Sequence, residues 1–225
     1  MTRRSAPREW LVTVGDEQTR AVLDPTSTPE SNGLLVLAHG AGGHKDDRGM
    51  EAAASLLRGC GLDVLRFNFI YRERGSRRPD PMPRLMQCMA AVTSRAVEET
   101  SPRRLILGGR SMGGRAGSML AADGFACDAL LLLAYPLHPA GQPEKLRDAH
   151  LNRIRVPVLC FNGTRDSLCR RDKMESVLHD LNGRWTMHWL EGADHGFHVL
   201  QSSGRTDGDI LEEIAGATKD WLKDL

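Results

Sequence analysis

The chain has no surplus of charge of either sign. Thirty basic residues stand against twenty-nine acidic ones, a formal net charge of +1. A dedicated nucleic-acid binder needs surplus positive charge to neutralise phosphates, so that class is not expected. A cysteine framework is also missing. Cys60, Cys88, Cys127, Cys160 and Cys169 are odd in number and show no C-x-x-C spacing. They read as free thiols in a reducing compartment, not as disulfides or a metal site. No apolar run approaches the length that spans a bilayer; the longest surrounds Ala129–Ala134. The start, "MTRRSAPREW", carries Arg3 and Arg4 with no apolar segment behind them, so no secretory signal is expected. Repeats and low-complexity segments do not occur. A cytoplasmic protein with no membrane partner is the resulting expectation.

What is present is a strand–helix alternation. With 225 residues, 40% hydrophobic and 26% charged, the chain is expected to form one globular domain over residues 1–225. "EWLVTV" and "RAVLD" suit an antiparallel hairpin. Apolar runs follow at Leu34–Ala38, Leu62–Phe69, Arg104–Gly108, Ala129–Ala134, Val156–Gly163 and Trp185–Leu190. Runs without polar alternation suit strands covered on both faces. Helix-period segments lie at Asp47–Arg58, Pro83–Glu99, Met112–Ala122, Arg170–Leu181 and Asp207–Leu225. Polar stretches at Asp24–Gly33 and Arg72–Pro83 read as loops. Alternating β and α units predict a mostly parallel central sheet with helices on both faces. Ligands then bind beyond the carboxyl ends of the strands.

The loops at that edge carry the chemistry. "GRSMG" (Gly109–Gly113) follows an apolar run and precedes a helical segment. A nucleophile elbow has that context, with small residues two positions either side of the serine. The pentapeptide alone is weak; its neighbours strengthen it. A serine hydroxyl needs a base, and the order Ser…Asp/Glu…His is met by Ser111, Asp166 and His195, each after a different predicted strand. His198 is the alternative base. A lone Asp or His is ordinarily a solvated surface group; three in order at three strand ends are not. Oxyanion donors are expected from the Met112 backbone N–H and from "HGAGG", at Ala41 or, as the alternative, Gly42. Neither "GAGGHKDD" nor "GGRSMGGR" has nucleotide-loop spacing, so no cofactor and no metal are expected.

The ordered set "LAHGAGGHKDD", "LRFNFIYRERGSRRPDP", "LGGRSMGGR", "AYPLHPAGQPEKLRDAHL", "FNGTRDSL" and "EGADHGF" resembles small α/β-hydrolases of the dienelactone-hydrolase-like type. It is most similar to the branch that also contains a testis-expressed protein and a subunit of the NSL chromatin complex. The likeness runs from about Leu34 to His198. It implies the α/β-hydrolase fold, with Ser111, Asp166 and His195 catalytic, and it implies no particular substrate. Ile70 and Cys169 depart from that pattern, where proline and glycine are more usual.

Only Tyr135–Arg155 separates the apolar runs Ala129–Ala134 and Val156–Gly163, room for one short helix within Glu144–Ile154. No cap domain is therefore expected. Tyr135, His138, Arg110 and Arg72 are candidate substrate contacts. The basic cluster Arg72, Arg74, Arg77 and Arg78 has two readings: selection of an anionic substrate, or ion pairing and solvated surface. For Arg110 the pairing reading names Glu73 or Asp80. The expected function is hydrolysis of an ester, thioester or related acyl bond of a small molecule. The alternatives are a non-catalytic partner-binding subunit on the same fold, or an acyltransferase with the same site.

Overall fold

The computed structural model describes residues 6–181 and 184–225. Arg3 and Arg4 lie outside the described residues. One eight-stranded sheet runs through the molecule in the order β1-β2-β4-β3-β5-β6-β7-β8. β1 (Arg8–Val14) and β2 (Glu17–Asp24) form the expected antiparallel hairpin. β2 also pairs antiparallel with β4 (Leu62–Phe67). The remaining ladders are parallel: β3 (Gly33–Ala38), β5 (Leu105–Arg110), β6 (Ala129–Leu133), β7 (Val158–Gly163) and β8 (Trp185–Leu190). Every central strand therefore points its carboxyl end to the same edge.

The apolar runs show no alternation because both sheet faces are covered. Side chains still alternate between two separate cores. Leu34, Val36 and Ala38 join one core; Leu35 and Leu37 join the other. The first core is closed by α3 (Met82–Thr100), α4 (Met112–Ala122) and α5 (Arg171–His179), through residues such as Met89, Leu120 and Met174. The second is closed by α1 (Arg48–Arg58) and α6 (Asp207–Lys223), through Met50, Leu57, Ile210 and Trp221. The start of α6 is fixed by a capping box, Thr206 with Asp209. Among the described residues, no helix is long and apolar enough to cross a membrane.

Two expectations change. The stretch Arg72–Pro83 is not all loop: a short helix α2 (Ile70–Glu73) opens it, and α3 begins at Met82. The expected short helix within Glu144–Ile154 is only a 3-10 turn at Leu151–Arg153. Between β6 and β7 nothing larger stands, so the fold carries no cap domain.

Close backbone approach sets the glycine positions. An added Cβ at Gly108 would lie 2.3 Å from Leu131 O on the neighbouring strand. At Gly163 it would lie 2.1 Å from Ala193 O. Gly216, in exposed α6 surface, would meet nothing within 4 Å. Gly216→Ala is expected to raise stability by about 1 kcal/mol, the helix-propensity difference. Gly108→Ala is expected to lower it by roughly 3 kcal/mol or more, as overpacking against backbone. Urea unfolding of the two variants checks both signs; a stable Gly108→Ala protein would refute the packing argument.

Candidate functional site

At the carboxyl edge, β5 runs into α4 through Ser111. Its backbone adopts φ 52° and ψ −116°, a region costly for a residue with a side chain. The turn is this tight because β3 and α4 close on it. A Cβ at Gly109 would stand 2.6 Å from Ala38 O, and one at Gly113 2.4 Å from the same oxygen. Glycine at both positions is thus a steric requirement. The strained turn points the Ser111 hydroxyl off the end of the sheet.

His195 and Asp166 meet it there. Ser111 Oγ donates to His195 Nε2 at 2.9 Å, and His195 Nδ1–H donates to Asp166 Oδ2 at 2.8 Å. This tautomer follows from the network, since the carboxylate accepts only. The Asp166 side chain has no solvent exposure and the His195 ring has 27%. Asp166 also accepts from the Asn162 amide at 3.1 Å and from Leu168 N–H at 2.8 Å. Asn162 in turn bonds both backbone polar atoms of Tyr135, so β6 and β7 jointly hold the carboxylate. Chemically, the arrangement can move the serine proton to imidazole while a buried carboxylate balances the new charge. His198 stands apart: it is exposed and bonded to Asp207 at 2.7 Å.

The loop after β3 lies against the serine. A Cβ on Gly40 would sit 3.6 Å from Ser111 Cβ. Gly42 N–H is already used, donating to the Tyr71 hydroxyl at 3.2 Å. Among the described residues, Ala41 N–H has no acceptor and neither has Gly40 N–H, so both are open to a ligand oxygen. His39 fixes the loop from beneath. Its Nε2 accepts from Phe69 N–H at 3.2 Å, leaving Nδ1–H to donate to Gly40 O at 2.8 Å. Asn68 ties the same loop to α2, accepting from Lys45 N–H and donating to Glu73. His39, Asn68, Tyr71 and Asn162 were not singled out from sequence. Each is a polar group inside or directly after an apolar run, which is the signal that marks them.

Tyr135 and His138 are not placed as substrate contacts. Ala134, directly before Tyr135, takes a positive φ of 54°. Tyr135 is fully buried, and its hydroxyl donates to Arg147 O at 2.7 Å. His138 is 2% exposed and accepts from Arg170 N–H at 3.0 Å, bracing the segment after Asp166. Arg110 pairs with neither Glu73 nor Asp80. Glu73 accepts from Thr19 and Asn68, and Asp80 from Arg74. The Arg110 guanidinium instead donates to His195 O at 3.4 Å and stands over the Phe197 ring. Arg72 bonds Ser76 O at 3.0 Å, within its own loop. Arg74 pairs with Asp80 and Glu17, so part of the basic cluster is ion-paired surface. Among the described residues, no cluster of His, Cys, Asp and Glu has the form of a metal site.

Comparison with known proteins fits this geometry. A family model described as an alpha/beta hydrolase domain matches residues 31–223. An alpha-beta serine hydrolase homologue from Coxiella burnetii superposes with a TM-score of 0.77 at 19% identity, covering 96% of this chain and 97% of its own. A dienelactone hydrolase from Anabaena variabilis gives 0.73 at 21% identity, covering 97% and 98%. An α/β serine hydrolase without a lid from Xanthomonas campestris gives 0.74 at 18%, covering 97% and 94%. At these identities the likeness is one of fold.

Two buried histidines give the fold a defined acid sensitivity. Burial pushes His39 and His150 down from 6.5 to about 4. Both are neutral in the folded protein at pH 7. Between about pH 6.5 and 4 the unfolded chain therefore binds protons that the folded chain does not. Their contribution is complete above that window and falls as pH drops through it, by roughly 3 kcal/mol for each histidine. Urea unfolding between pH 7 and pH 4 should show this loss, and a His39→Gln, His150→Gln double variant should show a shallower one. Equal slopes for the two proteins would refute it.

Proposed function

The chain belongs to the alpha/beta hydrolase domain family, and from that premise we propose that it is a serine hydrolase of an ester, thioester or related acyl bond in a small molecule. The observation that carries this reading is the continuous hydrogen-bonded line from Ser111 through His195 to buried Asp166. In the proposed reaction Ser111 Oγ attacks the acyl carbon as His195 Nε2 takes its proton. The carbonyl oxygen becomes an oxyanion held by the N–H groups of Met112 and Ala41. Collapse breaks the bond to the leaving group, which receives the proton from His195. Water then repeats the sequence on the acyl-enzyme and releases the acid.

Several features support this assignment. The strained Ser111 backbone is a cost that a scaffold has no reason to carry. Ala41 N–H stands open beside the serine, while its neighbour Gly42 is engaged. Without a cap the site is open, which suits a small or flexible substrate better than an interfacial lipid. The five free cysteines fit a reducing, cytoplasmic setting.

A fluorophosphonate probe is expected to label Ser111 in the purified protein and to leave Ser111→Ala unlabelled. Equal labelling of both would end the catalytic reading. With short nitrophenyl esters, Ser111→Ala should lose about 10³-fold or more in kcat/KM. Tyr71→Phe should lower kcat by roughly tenfold with little change in KM, because only the tetrahedral stage needs the anchored loop. A proportional rise in KM instead would place Tyr71 in substrate binding.

A further inference from the structure

The x residue of the elbow, Arg110, opens onto a second feature. β5 alternates its side chains, so Ser111 caps the sheet edge while Arg110 projects toward the α1 and α6 face. A cleft of about 600 Å³ lies there, between those two helices. That volume is in the range of small-molecule sites. Its wall is mostly apolar, built from Ala53, Leu56, Leu133, Phe197, Leu211 and Ile214. Neither Ser111 nor His195 lines it.

Guanidinium outnumbers carboxylate in the cleft lining. Arg110 and Arg48 line it, and the lining carboxylate is Asp207. Asp207 is spent on His198 at 2.7 Å and on Val199 N–H at 3.0 Å. Nearby Asp194 accepts from the N–H groups of Gly196 and His198, and its charge and that of Asp166 reach Arg110 without hydrogen-bonding to it. Among the described residues, the Arg110 guanidinium has one hydrogen bond, the 3.4 Å contact to His195 O. Its Nη1 lies 3.1 Å from where a Cβ on Gly49 would stand, so glycine there leaves the group room. A half-buried guanidinium with unpaired N–H groups, set in an apolar wall, matches one ligand chemistry. It is a carboxylate joined to an apolar body, held by paired N–H···O bonds with its tail along α1 and α6.

We propose that this cleft binds a small amphiphilic monocarboxylate through Arg110, at a site separate from Ser111. Occupancy would place the ligand directly behind the peptide that carries His195. The proposal does not depend on the hydrolase reading, since no catalytic group contributes to it.

Octanoate, with 1-octanol as the uncharged counterpart, tests it by titration calorimetry on the full chain. Octanoate is expected to bind one-to-one and at least tenfold tighter than octanol. Ser111→Ala, and protein already labelled at Ser111, should bind octanoate as the unmodified chain does. Ala53→Trp fills the cleft, and Leu211→Glu sets a like charge in it; each should abolish binding while ester turnover and thermal unfolding stay unchanged. Arg110→Lys should weaken octanoate by about tenfold and leave octanol unaffected. Equal affinity for acid and alcohol would overturn the proposal. So would binding that survives both cleft substitutions, or binding lost on labelling Ser111.

Discussion

The constraint on which the rest of the site depends is the approach of β3 to the turn after β5. One oxygen, Ala38 O, stands where the Cβ atoms of residues 109 and 113 would be. The contact permits glycine alone on both sides of Ser111, forces the serine into its costly backbone conformation and sets α4 close against the sheet. It also brings the loop after β3 alongside the serine. The hydroxyl, the free Ala41 N–H and the start of α4 owe their relative positions to it. Parallel pairing of β3 with β5 over Leu34–Ala38 holds the arrangement rigid.

Around this centre, buried polar groups act as positioning devices. Asn162 joins β6 to the carboxylate on the loop after β7. His39 joins the loop after β3 to the end of β4. Both are side chains whose donors and acceptors are matched inside the protein, so they direct without titrating near neutral pH. A site built this way needs little reorganisation when charge develops. Ser111 and His195 are the partly exposed members, and in the proposed reaction they are the two that meet the substrate.

The sheet was legible because two-sided burial writes itself as unbroken apolar runs. The triad was legible because its members fall directly after three such runs, where a parallel sheet gathers loops. Side-chain direction was not legible. Tyr135 and His138 also follow a strand, yet both are buried behind a positive φ at Ala134, and a backbone sign at alanine leaves no trace in composition. Arg110 had two readings, a substrate contact or a pair with a carboxylate; its partner is a backbone carbonyl 85 residues away, which charge patterning cannot disclose. α2 was hidden in a stretch rich in Arg, Pro and Gly, because its four residues gain their order from tertiary bonds, Glu73 to Thr19 above all.

The hydrogen bond between Ser111 and His195 joins residues 84 apart in the chain. It exists only after β5, β6, β7 and β8 have paired in order, since each loop is placed by its own strand. Long-range parallel pairing is slow relative to helix formation, because loop closure precedes the contacts that reward it. The contact thus depends on completion of the sheet. Without it Ser111 has no base beside it. The proposed activity would therefore report on a finished sheet.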